Sequence, residues 1–272
     1  MKHYTVCMTI AGSDPSGGAG IQADLKTFAA LECYGQAVIS ALTVQSTQGV
    51  KESHPIDFRL IYDQAVEVMQ DWMPHALKIG MVPNMLCADA IDRVCKMFPI
   101  PFVVYDPVMI SSSGHPLIEP EAIRFIRKNL MRRCSLITPN LPEAQALTEY
   151  ESRDPERLAS RLSDLIDKHS VLVKGGHATG DTSVDVLYHQ GKFYSYEAPR
   201  IHTRNSHGTG CVLSSAIAAY VAKGYELPLA VEKAKAFLTQ ALTKGAEYET
   251  GTGTGPLYLW NDGDTKQGEA CI

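Results

Sequence analysis

Apolar runs alternate with helical patterns along most of the chain. Residues 4–10 form an apolar run typical of a strand, and residues 21–31 have the apolar spacing of a helix. Further strands are predicted at residues 36–44, 76–79, 102–105, 135–137 and 171–173, and further helices at residues 57–73, 84–97, 120–130, 144–147, 155–168, 212–223 and 229–247. Continuously apolar strands are typical of parallel sheets covered on both faces. The pattern therefore predicts an α/β fold with a mostly parallel central sheet between two layers of helices.

Residues 185–196 interrupt this alternation. Two short strand-like runs flank His189, Gln190 and Gly191, which predicts a small β-hairpin whose strands lie at an edge. No linker, repeat or low-complexity segment divides the chain, so residues 1–272 are predicted to form a single domain. Residues 261–272 are predicted to be a flexible C-terminal tail.

The composition narrows the class of protein. The 272 residues carry a formal net charge of -5, and 45% of them are hydrophobic, which suits a soluble protein with a large core. The basic excess of a nucleic-acid-binding protein is lacking. No apolar stretch approaches the roughly 20 residues that span a bilayer, and the N-terminus lacks the pattern of a secretion signal. We therefore expect a cytoplasmic protein in which most of the seven cysteines are reduced, without nucleic-acid or membrane partners.

Polar and glycine-rich segments follow the predicted strands. In open α/β sheets, ligands bind outside the carboxyl ends of the strands. The segments at these ends are residues 12–20, 80–81, 106–107, 139–140, 174–176 and 208–211. They are distant in sequence, and the fold is expected to bring them to one rim of the sheet.

Gly208, Thr209, Gly210 and Cys211 precede a long helical pattern and give the strongest local signal. A tight glycine turn followed by a helix N-terminus forms an anion hole suited to a phosphoryl group. The alternative is a glycine-rich helix cap without a ligand. Cys211 fits a general base, a nucleophile or a part of the wall, and a helix N-terminus lowers a thiol pKa.

Other candidates each have a structural alternative. The loop at residues 12–20 matches neither dinucleotide-binding nor Walker A spacing, and Asp24 beyond it is either a ligand or a solvated carboxylate in the first turns of a helix. Asn140 and Glu143 are spaced as a helix cap, or Glu143 binds hydrated magnesium as an outer ligand.

Three further polar residues end predicted strands. Lys174 is placed to reach phosphates, and its alternative is a surface lysine. Asp106 suits a magnesium–phosphate region or an ordinary turn. Gln45 is able to pair with an amide or amidine edge of a ring, or is a plain polar residue at a strand end.

Taken in order, these motifs resemble the bacterial hydroxymethylpyrimidine/phosphomethylpyrimidine kinases of thiamine biosynthesis. The matching segments are residues 9–28, 78–81, 106–109, 137–144, 173–177, 207–211 and 253–256, so the resemblance covers essentially the whole chain. It implies a ribokinase-like fold, ATP and Mg2+ as cofactors, and a homodimer. It also implies two reactions at one site: phosphorylation of 4-amino-5-hydroxymethyl-2-methylpyrimidine, and then of that monophosphate to the diphosphate.

The resemblance also implies roles for individual residues. The pyrimidine pocket would be lined by Gly12, Asp24, Gln45, Met81, Val108 and Cys211. The phosphates and magnesium would be served by Lys174, Asp106, Asn140 and Glu143, with Asp106 and Glu143 reaching the metal through water. Gly208, Thr209 and Gly210 would form the anion hole, with Cys211 as the candidate base where most ribokinase-like sugar kinases have aspartate. Residues 45–49 depart mildly from the family pattern, and residues 261–272 have no clear counterpart.

The sequence leaves three other functions open. The nearest is a pyridoxal/pyridoxamine kinase on the same scaffold, against which Gln45 argues. An idle ligand-binding protein is disfavoured by the intact Asp106, Lys174, Glu143 and Cys211. A nicotinamide-dependent enzyme is disfavoured by the glycine spacing.

Overall fold

The computed structural model describes residues 2–111, 114–176 and 180–260, in which nine strands and eight α-helices follow one another. The strands are β1 (Val6–Ser13), β2 (Tyr34–Ser46), β3 (Gly49–Pro55), β4 (Ala76–Ile79), β5 (Val103–Tyr105), β6 (Leu136–Ile137), β7 (Ser170–Val173), β8 (Thr182–His189) and β9 (Lys192–Pro199). The helices are α1 (Gly20–Ala30), α2 (Phe58–Asp71), α3 (Met85–Met97), α4 (Pro120–Lys128), α5 (Leu141–Thr148), α6 (Pro155–Leu165), α7 (Thr209–Ala222) and α8 (Leu227–Gly245), and a 3₁₀ turn covers Leu130–Arg133.

All nine strands form one sheet in the order β3-β2-β1-β4-β5-β6-β7-β8-β9. The six strands from β2 to β7 in this order are parallel, whereas β3, β8 and β9 are antiparallel. Successive side chains on β1 point to opposite faces, so Met8 belongs to the core cluster formed with helices α2 to α6, while Cys7 belongs to the cluster formed with α1, α7 and α8. The predicted mostly parallel sheet with helices on both faces is confirmed.

The structure differs from the sequence predictions at three places. Strand β3 was not predicted, because its polar residues lie largely exposed and it forms through hydrogen bonds to the end of β2. The predicted hairpin is longer than residues 185–196: β8 pairs with β7 of the main sheet, and β9 forms its edge. Helix α6 ends at Leu165, because Asp167 and Lys168 adopt left-handed backbone angles with φ of 59° and 68°.

The carboxyl ends of the parallel strands share one edge of the sheet. The chain leaving each strand bonds to its neighbour: Gly80 N donates to Ile10 O, Asp106 N to Ile79 O and Lys174 N to Pro139 O. The polar segments predicted to converge therefore lie side by side along this rim.

Some predictions concern residues outside the described ranges, namely His177, Cys271 and the tail at residues 261–272. The six cysteines within these ranges are free thiols. Among the same residues, no helix has both the length and the apolar character that crossing a membrane requires.

Candidate active site

A cavity of about 980 Å³ opens along this rim. It is lined by twelve of the residues named from the sequence: Gly12, Gln45, Met81, Asp106, Val108, Asn140, Glu143, Lys174, Gly208, Thr209, Gly210 and Cys211. Asp24 is not part of its wall. The structure thus brings together residues that are up to about two hundred positions apart in the sequence.

Gly208 brings the two glycine-rich loops into contact. Its φ is 86°, and a Cβ at this position would lie 2.0 Å from Gly18 O, so only glycine fits. The next residues, Thr209, Gly210 and Cys211, form the first turn of α7 and line the cavity. The positive end of a 14-residue helix therefore faces the cavity, as an anion-binding turn requires.

Lys174 lies beside this turn and between two carboxylates. Its Nζ is 2.6 Å from Asp106 Oδ1 and 3.9 Å from Glu143 Oε2. Burial opposes the charge of Lys174, but Asp106 and Glu143 outweigh it and raise the lysine pKa above its ordinary value. Burial also raises the pKa of Glu143 to about 7, against the attraction of Lys174. The cluster keeps a fixed positive charge next to the anion-binding turn.

Glu143 and Asn140 also form the helix cap that the sequence left as an alternative. Glu143 N donates to Asn140 Oδ1 at 2.9 Å, and Asn140 N donates to Glu143 Oε2 at 2.8 Å. This capping box begins α5. Because both residues line the cavity as well, the cap fixes the direction in which Glu143 faces it.

The fit of magnesium rests on Asp106 and Glu143. Within residues 2–111, 114–176 and 180–260, no three histidine, cysteine or carboxylate side chains form a metal-binding cluster. Mg²⁺ commonly binds through one or two carboxylates together with water and substrate phosphates. The donor set thus fits a metal that arrives with a nucleotide, not one held in a preformed cage.

Asp24 has a different position from the one expected. It is completely buried, where Lys78 Nζ lies 2.8 Å from its Oδ2, and Thr9 Oγ1 and Ser215 Oγ each donate to it at 2.7 Å. It is neither a solvated carboxylate nor a wall of the cavity, and Lys78 reaches the cavity instead. The sequence signal for Lys78 was a single charge within the apolar strand β4.

Removing one member of the buried pair Asp24–Lys78 is expected to destabilise the fold. In Asp24→Ala, Lys78 would keep a buried charge without its partner, which typically costs about 3–5 kcal/mol. Urea unfolding of the purified protein measures this loss directly. The double variant Asp24→Leu/Lys78→Met removes both charges and should recover most of it. Equal losses in the single and double variants would contradict this account.

Cys211 differs from expectation in its pKa. Burial raises the pKa of the thiol to about 11, although Lys78 acts in the opposite direction. The sequence suggested a lowering by the helix N-terminus, but desolvation by the packed site is the larger effect. The thiol is therefore neutral near pH 7.

Gln45 belongs to a network that the sequence did not predict. Its Nε2 lies 2.8 Å from His207 Nε2, and that ring nitrogen is also 2.9 Å from Asp14 Oδ2. Burial raises the pKa of Asp14, but hydrogen bonds from His207 and Ser16 outweigh it and lower this pKa to about 2. All three members, Asp14, Gln45 and His207, line the cavity.

A second unpredicted pair supports the turn that follows Lys174. Asp185 Oδ1 accepts a hydrogen bond from Gly175 N at 2.8 Å, and Asp185 Oδ2 lies 2.7 Å from Lys235 Nζ. Both side chains are buried at the edge of the cavity. In the sequence, the feature that could have indicated Asp185 and Lys235 is a charged residue within a mostly apolar segment, of β8 and of α8 respectively.

Comparisons with known proteins agree on one family. A family model described as phosphomethylpyrimidine kinase matches residues 14–258. The hydroxymethylpyrimidine/phosphomethylpyrimidine kinase of Escherichia coli strain K12 is 41% identical over 254 residues, which cover 92% of this chain and 96% of that protein.

Solved structures extend the similarity to the fold. A phosphomethylpyrimidine kinase from Clostridium difficile 630 superposes with a TM-score of 0.76 at 40% identity, covering 87% of this chain and 99% of that one. The pyridoxal kinase of Staphylococcus aureus in complex with pyridoxal has a TM-score of 0.85 at 29% identity, covering 97% and 96% of the two chains. The same pyridoxal kinase has also been solved in complex with ADP.

Proposed function

The chain belongs to the phosphomethylpyrimidine kinase family, and from that premise we propose that it phosphorylates 4-amino-5-hydroxymethyl-2-methylpyrimidine and then its monophosphate, with ATP and Mg²⁺ as cofactors. The observation that carries the proposal is the position of Lys174 in the cavity. This cation is held by Asp106 beside the anion-binding turn of α7, while Gln45 lines the same cavity. Such an arrangement suits transfer of a phosphoryl group to a small ring.

The two ends of the cavity suit two different ligands. Gly12, Gln45, Met81 and Val108 come from one half of the sheet and suit the pyrimidine. The other end is lined by residues that follow β9 and by α8, including the apolar Ile201, Leu238 and Leu242. We assign this end to the nucleoside of ATP, so that the γ-phosphate lies between the ends, near Lys174.

In the proposed mechanism, the substrate hydroxyl attacks the γ-phosphorus in line with the leaving group. The backbone of Gly208, Thr209 and Gly210 stabilises the charge of the transferring group, and Lys174 adds a positive charge. Bound magnesium would neutralise phosphate charge, and Asp106 and Glu143 are the residues that would hold it through water. Cys211 accepts the proton of the hydroxyl when its thiol is ionised.

The experiment that tests the function follows both phosphorylations. The purified protein is incubated with ATP, Mg²⁺ and the hydroxymethylpyrimidine, and the products are separated by mass spectrometry. A monophosphate that appears first and is then converted to the diphosphate is the expected result. Pyridoxal is assayed in parallel because the pyridoxal kinase of Staphylococcus aureus shares the fold. Phosphorylation of pyridoxal alone would overturn the assignment.

We also propose that the protein is a cytoplasmic homodimer. The exposed side chains of β3 and β9 at the two edges of the sheet offer surfaces for pairing. Analytical ultracentrifugation of the purified chain measures the oligomeric state, and a species of one chain at micromolar concentration would contradict the dimer.

A further inference from the structure

His207 joins parts of the cavity that are far apart in sequence. Its Nε2 lies 2.9 Å from Asp14 Oδ2 in the first glycine-rich loop and 2.8 Å from Gln45 Nε2 on β2. Its side chain is only 12% exposed. One ring nitrogen therefore contacts both a carboxylate and an amide. Whether this nitrogen carries a proton determines whether each of the two partners accepts or donates a hydrogen bond.

Asp14 fixes the position of that proton. The carboxylate also accepts hydrogen bonds from Ser16 N, Ser16 Oγ, Gly18 N and Ala19 N. Five donors surround it, including His207, and its pKa of about 2 keeps it ionised and able only to accept. His207 Nε2 must therefore carry a proton and donate to Asp14. A nitrogen that donates needs an acceptor as its other neighbour, so the Gln45 amide must present its oxygen to His207.

Thr43 leads to the same orientation from the opposite end of the amide. Thr43 Oγ1 lies 2.9 Å from Ser13 O and 3.1 Å from Gln45 Oε1. The Ser13 carbonyl only accepts, so the one hydroxyl hydrogen of Thr43 goes to Ser13. The hydroxyl oxygen can then only accept from Gln45, which requires the NH₂ group on that side. When the Gln45 amide makes a half-turn about its Cγ–Cδ bond, its oxygen and its NH₂ group exchange places. In that orientation the oxygen faces His207 and the NH₂ group faces Thr43, so both partners are satisfied.

The orientation of this amide determines which ring edge can pair with it. With its oxygen near His207 and its NH₂ near Thr43, Gln45 still has one lone pair and one hydrogen available. A 4-aminopyrimidine offers a ring nitrogen that accepts beside an amino group that donates. The 4-oxo ring of the same shape offers the reverse order. Since the 5-hydroxymethyl group must point to the anion-binding turn, the ring cannot turn over to suit the amide.

We propose that His207 and Thr43 are specificity-determining positioning residues, which hold the Gln45 amide in the one orientation that accepts a 4-aminopyrimidine and rejects its 4-oxo analogue. The proposal rests on the proposed function, since it assigns the selectivity of the same site. The charge and carbonyl that set the orientation come from Asp14 and Ser13, neighbours in the first glycine-rich loop. Selectivity for the ring is thus determined by groups that do not pair with the ring.

The test compares the two rings in binding and in catalysis. Dissociation constants and kcat/KM are measured for 4-amino-5-hydroxymethyl-2-methylpyrimidine and for the 4-oxo analogue. A pair of hydrogen bonds of this kind is worth about 10- to 100-fold in discrimination, and the unaltered protein is expected to show it. In His207→Phe, only Thr43 still orients the amide, so the preference should fall, and in the double variant His207→Phe/Thr43→Val the amide can turn to suit either ring and the preference should fall below about threefold.

Thr43→Val provides an independent second variant. Its side chain is nearly isosteric, and it removes the acceptor at the other end of the amide, so a reduced preference is again expected. His169→Gln is the matched control, because His169 lies on the loop before β7 and its ring contacts Arg132 O, outside the cavity. It should keep the full preference. If His207→Phe fails to fold, Thr43→Val decides alone.

The outcomes separate the inference from the function. Folded variants that phosphorylate the amino ring and keep the original preference would overturn the role of His207 and Thr43 only. An unaltered protein that phosphorylates neither ring would overturn the proposed function, and the inference with it. A general loss of stability would lower activity on both rings equally and leave their ratio unchanged, which also counts against the proposal.

Discussion

Replacing Lys174 with methionine is expected to lower kcat by about 10³-fold or more, the loss that follows removal of a cation that stabilises a transferring phosphoryl group. The lysine Nζ is fixed 2.6 Å from Asp106 and next to the first turn of α7, where a Cβ on Gly210 would come within 3.4 Å of it. Its charge is therefore positioned before the substrate arrives. Steady-state kinetics with the hydroxymethylpyrimidine and ATP measure the change.

Two further variants separate catalysis from stability. Lys174→Met also leaves Asp106 buried without its charge partner, so the protein should unfold more easily. The double variant Lys174→Met/Asp106→Asn removes both charges and should regain stability without regaining activity. Lys174→Arg keeps the charge on a side chain of different shape, so its kcat should lie between that of the unaltered protein and that of Lys174→Met. A kcat within about threefold of the original in Lys174→Met would exclude the lysine from the chemistry.

Cys211→Ala is expected to lower kcat by about 10²–10⁴-fold in alkaline solution, where part of the thiol is ionised, which is the usual effect of losing a general base. In the unaltered protein only the thiolate can accept the proton, and the thiol pKa is about 11. The thiolate fraction rises about tenfold per pH unit below that pKa, so kcat should increase with pH through the neutral and mildly alkaline range. The alanine variant should lose this increase.

A pH profile with a matched control tests the role of Cys211. Cys95→Ala is suitable, because that thiol lies on α3, away from the cavity, and has its own pKa raised by burial. It should leave both the rate and the pH profile unchanged. If Cys211→Ala kept a near-native rate with the same pH profile, Cys211 would only line the pocket.

The sequence predicted the parallel part of the sheet well because burial imposes a pattern on each strand. Strands β1, β4, β5 and β7 are mostly apolar since helices cover both faces. Strand β3 has no such cover, and only its pairing with β2 makes it a strand. A strand stabilised chiefly by hydrogen bonds to another segment leaves little trace in its own residues.

The site could be predicted where a residue follows a strand, and not where its role depends on a distant partner. Lys174 and Asp106 each follow a strand, and ligands bind outside the carboxyl ends of the strands in open α/β sheets, so their positions in the sequence indicated the site. The partner of Asp24 is 54 residues away along the chain, and no local pattern points to Lys78 as that partner. The pKa of Cys211 follows from burial by the whole site, which outweighs the neighbouring helix terminus.

The contact between Gly18 and Gly208 has a consequence for the order in which the protein becomes active during synthesis. The first glycine-rich loop and β2 leave the ribosome early, but their partners follow about two hundred residues later. His207 N donates to Gly255 O, and Thr254 N donates to Thr47 O. Domains can fold as the chain emerges, yet His207, which lines this pocket, gains its backbone hydrogen bond to Gly255 only when residues 253–256 have left the ribosome. A nascent chain therefore gains its central sheet well before it can bind or turn over a substrate.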